Sequence, residues 1–193
     1  MAQNWLDLEA DRALSPFDQR HLLSFQGQYS TGAGLGGGAL MSGWKGALLK
    51  EWTFVTNINV GTGLPLSPVY FAAVGRTGCS NCLRPDYTGV SIYDAPPGLN
   101  LNPAALAAPA LGQYGNAGRN SITGPGQFSV NASLGRTFPW GDRRNVDLRF
   151  DANNALNHVT FPGWNTVLGN AQFGLPSSAN QMRIIQTTLR VRF

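Results

Sequence analysis

From Phe128 the apolar residues occupy alternate positions: Phe128, Val130, Ala132, Leu134 and Phe138, with Gln127, Ser129, Asn131, Ser133 and Thr137 on the other parity. Only Arg136 breaks the apolar parity. A period of two belongs to a strand with one apolar and one polar face. It recurs where Val146, Leu148, Phe150 and Ala152 alternate with Asp147, Arg149, Asp151 and Asn153. The stretch Arg183 to Phe193 sets Ile185, Thr187, Leu189, Val191 and Phe193 against Gln186, Thr188, Arg190 and Arg192. Two earlier segments show a weaker form. In one, Leu23, Phe25 and Tyr29 face away from Ser24, Gln26 and Gln28; in the other, Phe54, Thr56, Ile58 and Val60 face away from Thr53, Val55, Asn57 and Asn59. The pattern predicts an all-β chain of about five strands.

Strands of about 9 to 13 residues exceed the ~5 to 6 usual in soluble sheets and suit a tilted membrane crossing. In a membrane barrel the apolar parity meets lipid, and Asp147, Arg149, Asp151, Arg190 and Arg192 form a polar face turned inward. A soluble sandwich also alternates, but with shorter strands and without a whole face of Arg, Asp and Asn. The connections favour the barrel. Pro139-Trp140-Gly141-Asp142 reads as a tight turn, whereas 63–126 and 156–182 are long, as outside loops are. Residues 30–51 depart from this alternation, holding a glycine tract from Gly32 to Gly38 and then ALMSGWKGALLKEW. The latter fits a short amphipathic helix with Leu40, Trp44, Ala47 and Leu48 on one face, opposed by Gly43 and Gly46.

Composition agrees. Charged residues are 12% of 193, while 24 Gly and 12 Pro exceed the usual share, which argues against a helical bundle. An apolar fraction of 42% is too high for a disordered chain. The net charge of +4 is concentrated after residue 97, where eight arginines face three acids. Those arginines stand singly along strands, without a basic run, so nucleic acid is not an expected partner. No apolar run reaches the ~18 residues of a transmembrane helix. Residues 1–21 have neither the basic nor the apolar region of a signal peptide, so the expectation is a processed product, a piece of a longer chain or a cytoplasmic protein.

Candidate chemistry is sparse. Cys79 and Cys82 are the one cysteine pair, in a C-x-x-C spacing between Gly78 and Pro85. A redox motif needs a strand before it and a helix after it, and zinc needs two more ligands. A loop disulfide is the favoured reading, with free thiols or a metal or redox site as the others. His21 and His158 stand at strand ends, where rim polarity explains them, and no G-x-S-x-G elbow is present. Asp147 and Asp151 share the parity of Arg149 and read as its partners. The glycine tract lacks the Lys-Ser/Thr of a phosphate loop. These readings predict no enzyme activity and no cofactor.

The stretches SPFDQRH, GWKGALLKEWTFVTNINVGTGLPLSP, RPDYTG, LGQYGNAGRNSITGPGQFSVNASLGRTF, LRFDANNALNHVTF and RIIQTTLRVRF, in that order, resemble the C-terminal part of TonB-dependent outer-membrane receptors. The likeness is strongest to the large acidobacterial type with a carboxypeptidase-regulatory-like N-terminal domain. Asn154-Ala155-Leu156-Asn157-His158 matches that family's strand-end motif, and the run from Gly118-Arg119-Asn120 to Gly124-Pro125 its loop into the antepenultimate strand. Leu189, Val191 and Phe193 look like the signal read by the barrel-assembly machinery.

The resemblance implies a partial outer-membrane barrel: one antiparallel, up-and-down domain over 1–193, with an N-terminal extension 1–16 and the cysteines in the outside loop 63–126. It also implies an extracytoplasmic Cys79–Cys82 bridge. The implied role is structural, with no catalytic or ligand-binding residue carried over and the transported ligand left open. A barrel needs at least about eight strands, and the family's receptors about 22, so five leave two open edges. The expected partners are therefore outer-membrane lipid, the remainder of a larger barrel, or copies of the chain paired edge to edge. That last possibility makes a ring, tube or extracellular filament the alternative function.

Overall fold

A computed structural model describes residues 2–32, 43–71, 83–141 and 144–193. The five expected strands are present as β1 (Leu22–Ser30), β2 (Thr53–Gly61), β3 (Gln127–Trp140), β4 (Arg144–Asn153) and β5 (Ile184–Arg192). They form one sheet in chain order, β1-β2-β3-β4-β5, so β1 and β5 are its two edges. The register carries out what the periodicity dictates. Leu134, Phe150 and Thr187 form one row across the last three strands, and Phe138, Val146 and Val191 form another. Thr137, Asp147 and Arg190 make a row on the opposite face. Between β1 and β2, Ser24 Oγ donates to Asn59 Oδ1 at 2.8 Å, and the Ser30 and Thr53 hydroxyls meet at 3.1 Å.

The tight turn starts later than the sequence suggests. Pairing runs through Pro139 opposite Asn145 to Trp140 opposite Arg144, because Gly141, at φ 74°, takes the left-handed conformation that reverses the chain. Before β2, Gly43–Leu49 forms the expected short helix α1. Of its expected face Trp44 and Leu48 are exposed, while Leu40 and the Ala47 side chain lie outside what the structure describes. Two donors hold the end of α1: Trp52 Nε1 and Arg136 Nη1 both donate to the Leu48 carbonyl, at 2.9 and 2.7 Å. That satisfies a carbonyl the helix leaves open, which offsets the glycines.

Contacts divide the chain into two compact units. One holds the strands, as Leu23–Val60, Phe128–Val159 and Gln181–Phe193. No residue of the five strands is buried. The other unit comprises Met1–Leu22, Gly61–Gln127 and Thr160–Asn180. Within it, residues read from the sequence as loops enclose a hydrophobic core of Ile92, Leu101, Ala105, Leu106, Ala117, Ile122 and Phe173, flanked by Leu66, Trp164 and Leu168. Three two-residue ladders frame this core: Pro65–Leu66 with Ile122–Thr123, Val69–Tyr70 with Val167–Leu168, and Asp86–Tyr87 with Leu106–Ala107. The core residues follow no period along the chain, so alternation could not reveal them.

Residues 2–16 belong to this unit rather than trailing from it. Gln3 is buried, donating from Nε2 to the Gly115 carbonyl at 3.0 Å and accepting from the Arg84 N–H at 2.6 Å. Arg84 and Asp11 form an ion pair in which each side chain is 7% exposed.

Candidate functional site

The sheet presents two chemically opposite faces. On the polar one, Arg149 Nε donates to Asp151 Oδ1 at 2.8 Å and to Ser133 Oγ at 3.2 Å. Thr137 Oγ1 donates to Asp147 Oδ1 at 2.7 Å, and Arg192 Nη2 pairs with Asp147 Oδ2 at 2.7 Å. The expected polar-face residues Asp147, Arg149, Asp151, Arg190 and Arg192 are thus brought together, with one change of partner. Asp151 serves Arg149, whereas Asp147 serves Arg192, because side chains two residues apart on one strand compete with a neighbour on the next. These residues, with Glu51, Thr53, Thr137 and Thr188, line a cavity of about 660 Å³. Its lining carries both charge signs and hydroxyls but neither histidine nor cysteine, so it suits hydrated, polar surfaces.

The apolar face is open. Leu23, Phe25, Phe54, Val60, Leu134, Phe150, Ile185, Leu189 and Val191 are all exposed on it. Leu189 and Val191, two of the expected assembly-signal residues, lie in its rows, and Phe193 follows 89% exposed. From Phe128 to Phe138 the face runs ten residues, about 33 Å of strand at ~3.3 Å each. Tilted by ~35–45°, that becomes roughly 23–27 Å, close to the ~25 Å apolar band of outer-membrane barrels. Arg136, the one cation inside this band, points its guanidinium over the Phe138 ring at 4.6 Å while holding the Leu48 carbonyl.

Residues 1–186 match the family model described as outer membrane beta barrel domain. The chain belongs to this family. As an outer membrane beta barrel domain it resides in the outer membrane, where an open apolar face of this kind is suited to meet lipid. None of the curated proteins and none of the solved structures matches the chain.

The motifs singled out in the sequence hold the backbone of this barrel domain through side-chain hydrogen bonds. Asn154 and Asn157 both take left-handed backbone, at φ 49° and 52°. Asn154 Nδ2 donates to the His158 and Gln181 carbonyls at 2.9 and 3.1 Å, and its Oδ1 accepts from His158 N at 2.9 Å. The His158 ring stands edge-on to Phe128, at 5.3 Å between centroids. Asn120, at φ 51°, exchanges hydrogen bonds with Ser67 and donates from Nδ2 to the Leu14 carbonyl at 2.7 Å. His21 lies at the other strand end, its N–H donating to Thr62 Oγ1 at 3.2 Å.

Sequence reading missed the buried Arg84–Asp11 pair, whose partners are 73 residues apart. Burial, the largest influence on Asp11, pushes its carboxyl up, but the Arg84 hydrogen bond and charge and the backbone N–H groups of Gln3 and Asn4 outweigh it. Asp11 is therefore held below the usual aspartate range. Cys79 and Cys82 lie outside the described residues. Among the described residues no group of three His, Cys, Asp or Glu stands close enough to hold a metal ion.

Proposed function

We propose that this barrel domain is the C-terminal barrel segment of a TonB-dependent outer-membrane transporter, structural rather than catalytic, with β4 and β5 contributing to the polar wall of its lumen. The observation that carries this reading is the match of motif order to that receptor type together with the role of one motif. Asn154–His158, the recurrent strand-end element, closes the turn after β4 with its own side-chain hydrogen bonds. The polar face supports a wall rather than a catalyst, since its acids are engaged by arginines and a threonine of the same sheet.

Antibodies raised against the chain test this in its native host. The reading expects an outer-membrane band much larger than 20.7 kDa that shifts on heating and cross-links to the energy-coupling protein of the inner membrane. A band of 20.7 kDa with no such cross-link refutes it.

A second reading rests on the two free edges of the sheet, β1 and β5. Unpaired amide and carbonyl rows in lipid cost several kcal/mol per group, so a chain occurring alone must pair β5 with β1 of a neighbour. Electron microscopy of the purified chain separates the two: rings or filaments support self-assembly, and dispersed monomers exclude it.

A further inference from the structure

The last row of the lipid-facing side differs from every row before it. Register places Trp140 of β3 directly opposite Arg144 of β4, on the same parity as Phe138 and Val146. On the other side of Arg144 lies the Phe193 ring, with the guanidinium carbon 5.9 Å from its centroid. Trp140 is 62% exposed and Phe193 89% exposed, so the residues on either side of Arg144 in this row are open aromatics.

The two cations of this parity are employed differently. Arg136 gives its guanidinium to the Leu48 carbonyl and the Phe138 ring, inside the apolar band. Arg144 has no carboxylate or hydrogen-bond acceptor among the described residues; its one contact is the Phe193 ring. It stands one row beyond Phe138 and Val146, about 7 Å further along the strand, where the apolar band ends. An arginine at that depth, in one row with an amphipathic Trp ring and an apolar Phe ring, lies at the headgroup level of a bilayer. The guanidinium fork matches two phosphate oxygens, and a ring beside it leaves those donors unspent.

We infer that Trp140, Arg144 and Phe193 form a binding site for the phosphate of an anionic glycerophospholipid, the rings holding the glycerol and upper acyl chain while Arg144 holds the phosphate. The choice of a glycerophospholipid over the phosphates of lipopolysaccharide rests on loop length: the long connections 63–126 and 156–182 suit the outside, which assigns the short β3–β4 turn to the periplasmic side and so to the inner leaflet.

Native mass spectrometry of the full chain, folded in neutral detergent and offered equal phosphatidylglycerol and phosphatidylcholine, tests the site. The expected result is retention of phosphatidylglycerol over phosphatidylcholine by about fivefold, the equivalent of about 1 kcal/mol for one arginine at a membrane surface. R144Q should remove that preference while still retaining both lipids, R144K should keep part of it, and R20Q, the same charge change in the other unit, should leave it intact. Heat-modifiable migration checks that each variant folds, and if R144Q does not fold the partial loss in R144K carries the test. An undiminished preference in both Arg144 variants, or an equal loss in R20Q, overturns the site. In a second mixture of equal phosphatidylglycerol and lipopolysaccharide, stronger retention of lipopolysaccharide also overturns it, by placing the row in the other leaflet. Retention of neither lipid fails differently, since it removes lipid contact by the apolar face altogether.

Discussion

Arg192 rather than Arg190 holds Asp147. Register sets Arg190 directly opposite Asp147, yet the ion pair at 2.7 Å comes from Arg192, whose own cross-strand neighbour is Asn145. The diagonal reach is open to a long side chain on a twisted sheet, and it leaves Arg190 without an ionic partner among the described residues. R192Q should therefore lower the denaturant midpoint of the folded chain, by up to about 1 kcal/mol given how exposed the arginine is, while R190Q changes it little. Equal effects of the two variants would contradict this assignment.

The Arg84–Asp11 pair predicts acid sensitivity confined to its own unit. Because the folded Asp11 value lies below the ordinary aspartate range, its contribution is complete above that range and is lost as pH falls through the lowered folded value. Hydrogen-exchange protection at residues 83–87, taken relative to the intrinsic rate at each pH, should fall on acidification in the wild type and change less with pH in D11N. R84A, which strands a buried carboxylate, should cost about 3–5 kcal/mol.

Gly115 is a close-approach position. A Cβ there would overlap the carbonyl oxygens of Arg84 and Pro85, whereas at Gly118 the nearest atom, Ser121 Cβ, is an ordinary 3.4 Å away. G115A should destabilise the unit by roughly 1–3 kcal/mol and G118A by much less. Thermal unfolding followed by near-ultraviolet dichroism distinguishes them.

Asn154 combines a left-handed backbone with side-chain bonds on both sides of the turn. N154G keeps the backbone and loses the bonds, while N154A loses both. Stability should fall in the order wild type, N154G, N154A, each step about 1 kcal/mol in denaturant titration.

The cysteines lead to a chemical prediction. A Cys79–Cys82 bridge closes a small ring and contributes little to global stability, so intact mass should change on reduction and alkylation while the unfolding midpoint barely moves. Two thiols alkylated without prior reduction would refute the bridge.

The sheet was legible because its physics is local. Alternation from Phe128 to Phe138, broken only at Arg136, from Val146 to Ala152 and from Ile185 to Phe193 imposes both the strands and their faces, and the structure supplies only the register. Arg136 stood out in the sequence as a break in parity, but its purpose needed α1, since its acceptor is the Leu48 carbonyl 88 residues away. The second core was not legible at all. Leu101, Ile122 and Phe173 meet through irregular backbone, and the polar groups that join the segments, Gln3 to Gly115 and Asn120 to Leu14, span 112 and 106 residues. Their spacing obeys no helical or strand period that a sequence displays.

The unit around that second core is also discontinuous along the polypeptide, for it is assembled from three stretches separated by the strand-bearing ones, and the chain passes between the units five times. Closing such contacts requires long loops to be fixed before any burial offsets their lost entropy. Slow folding follows, because the stretch Met1–Leu22 docks only once the segments carrying Gly115 and Asn120 are in place. Until then the residues of that core stay open, and chaperone capture should concentrate on chains in that state.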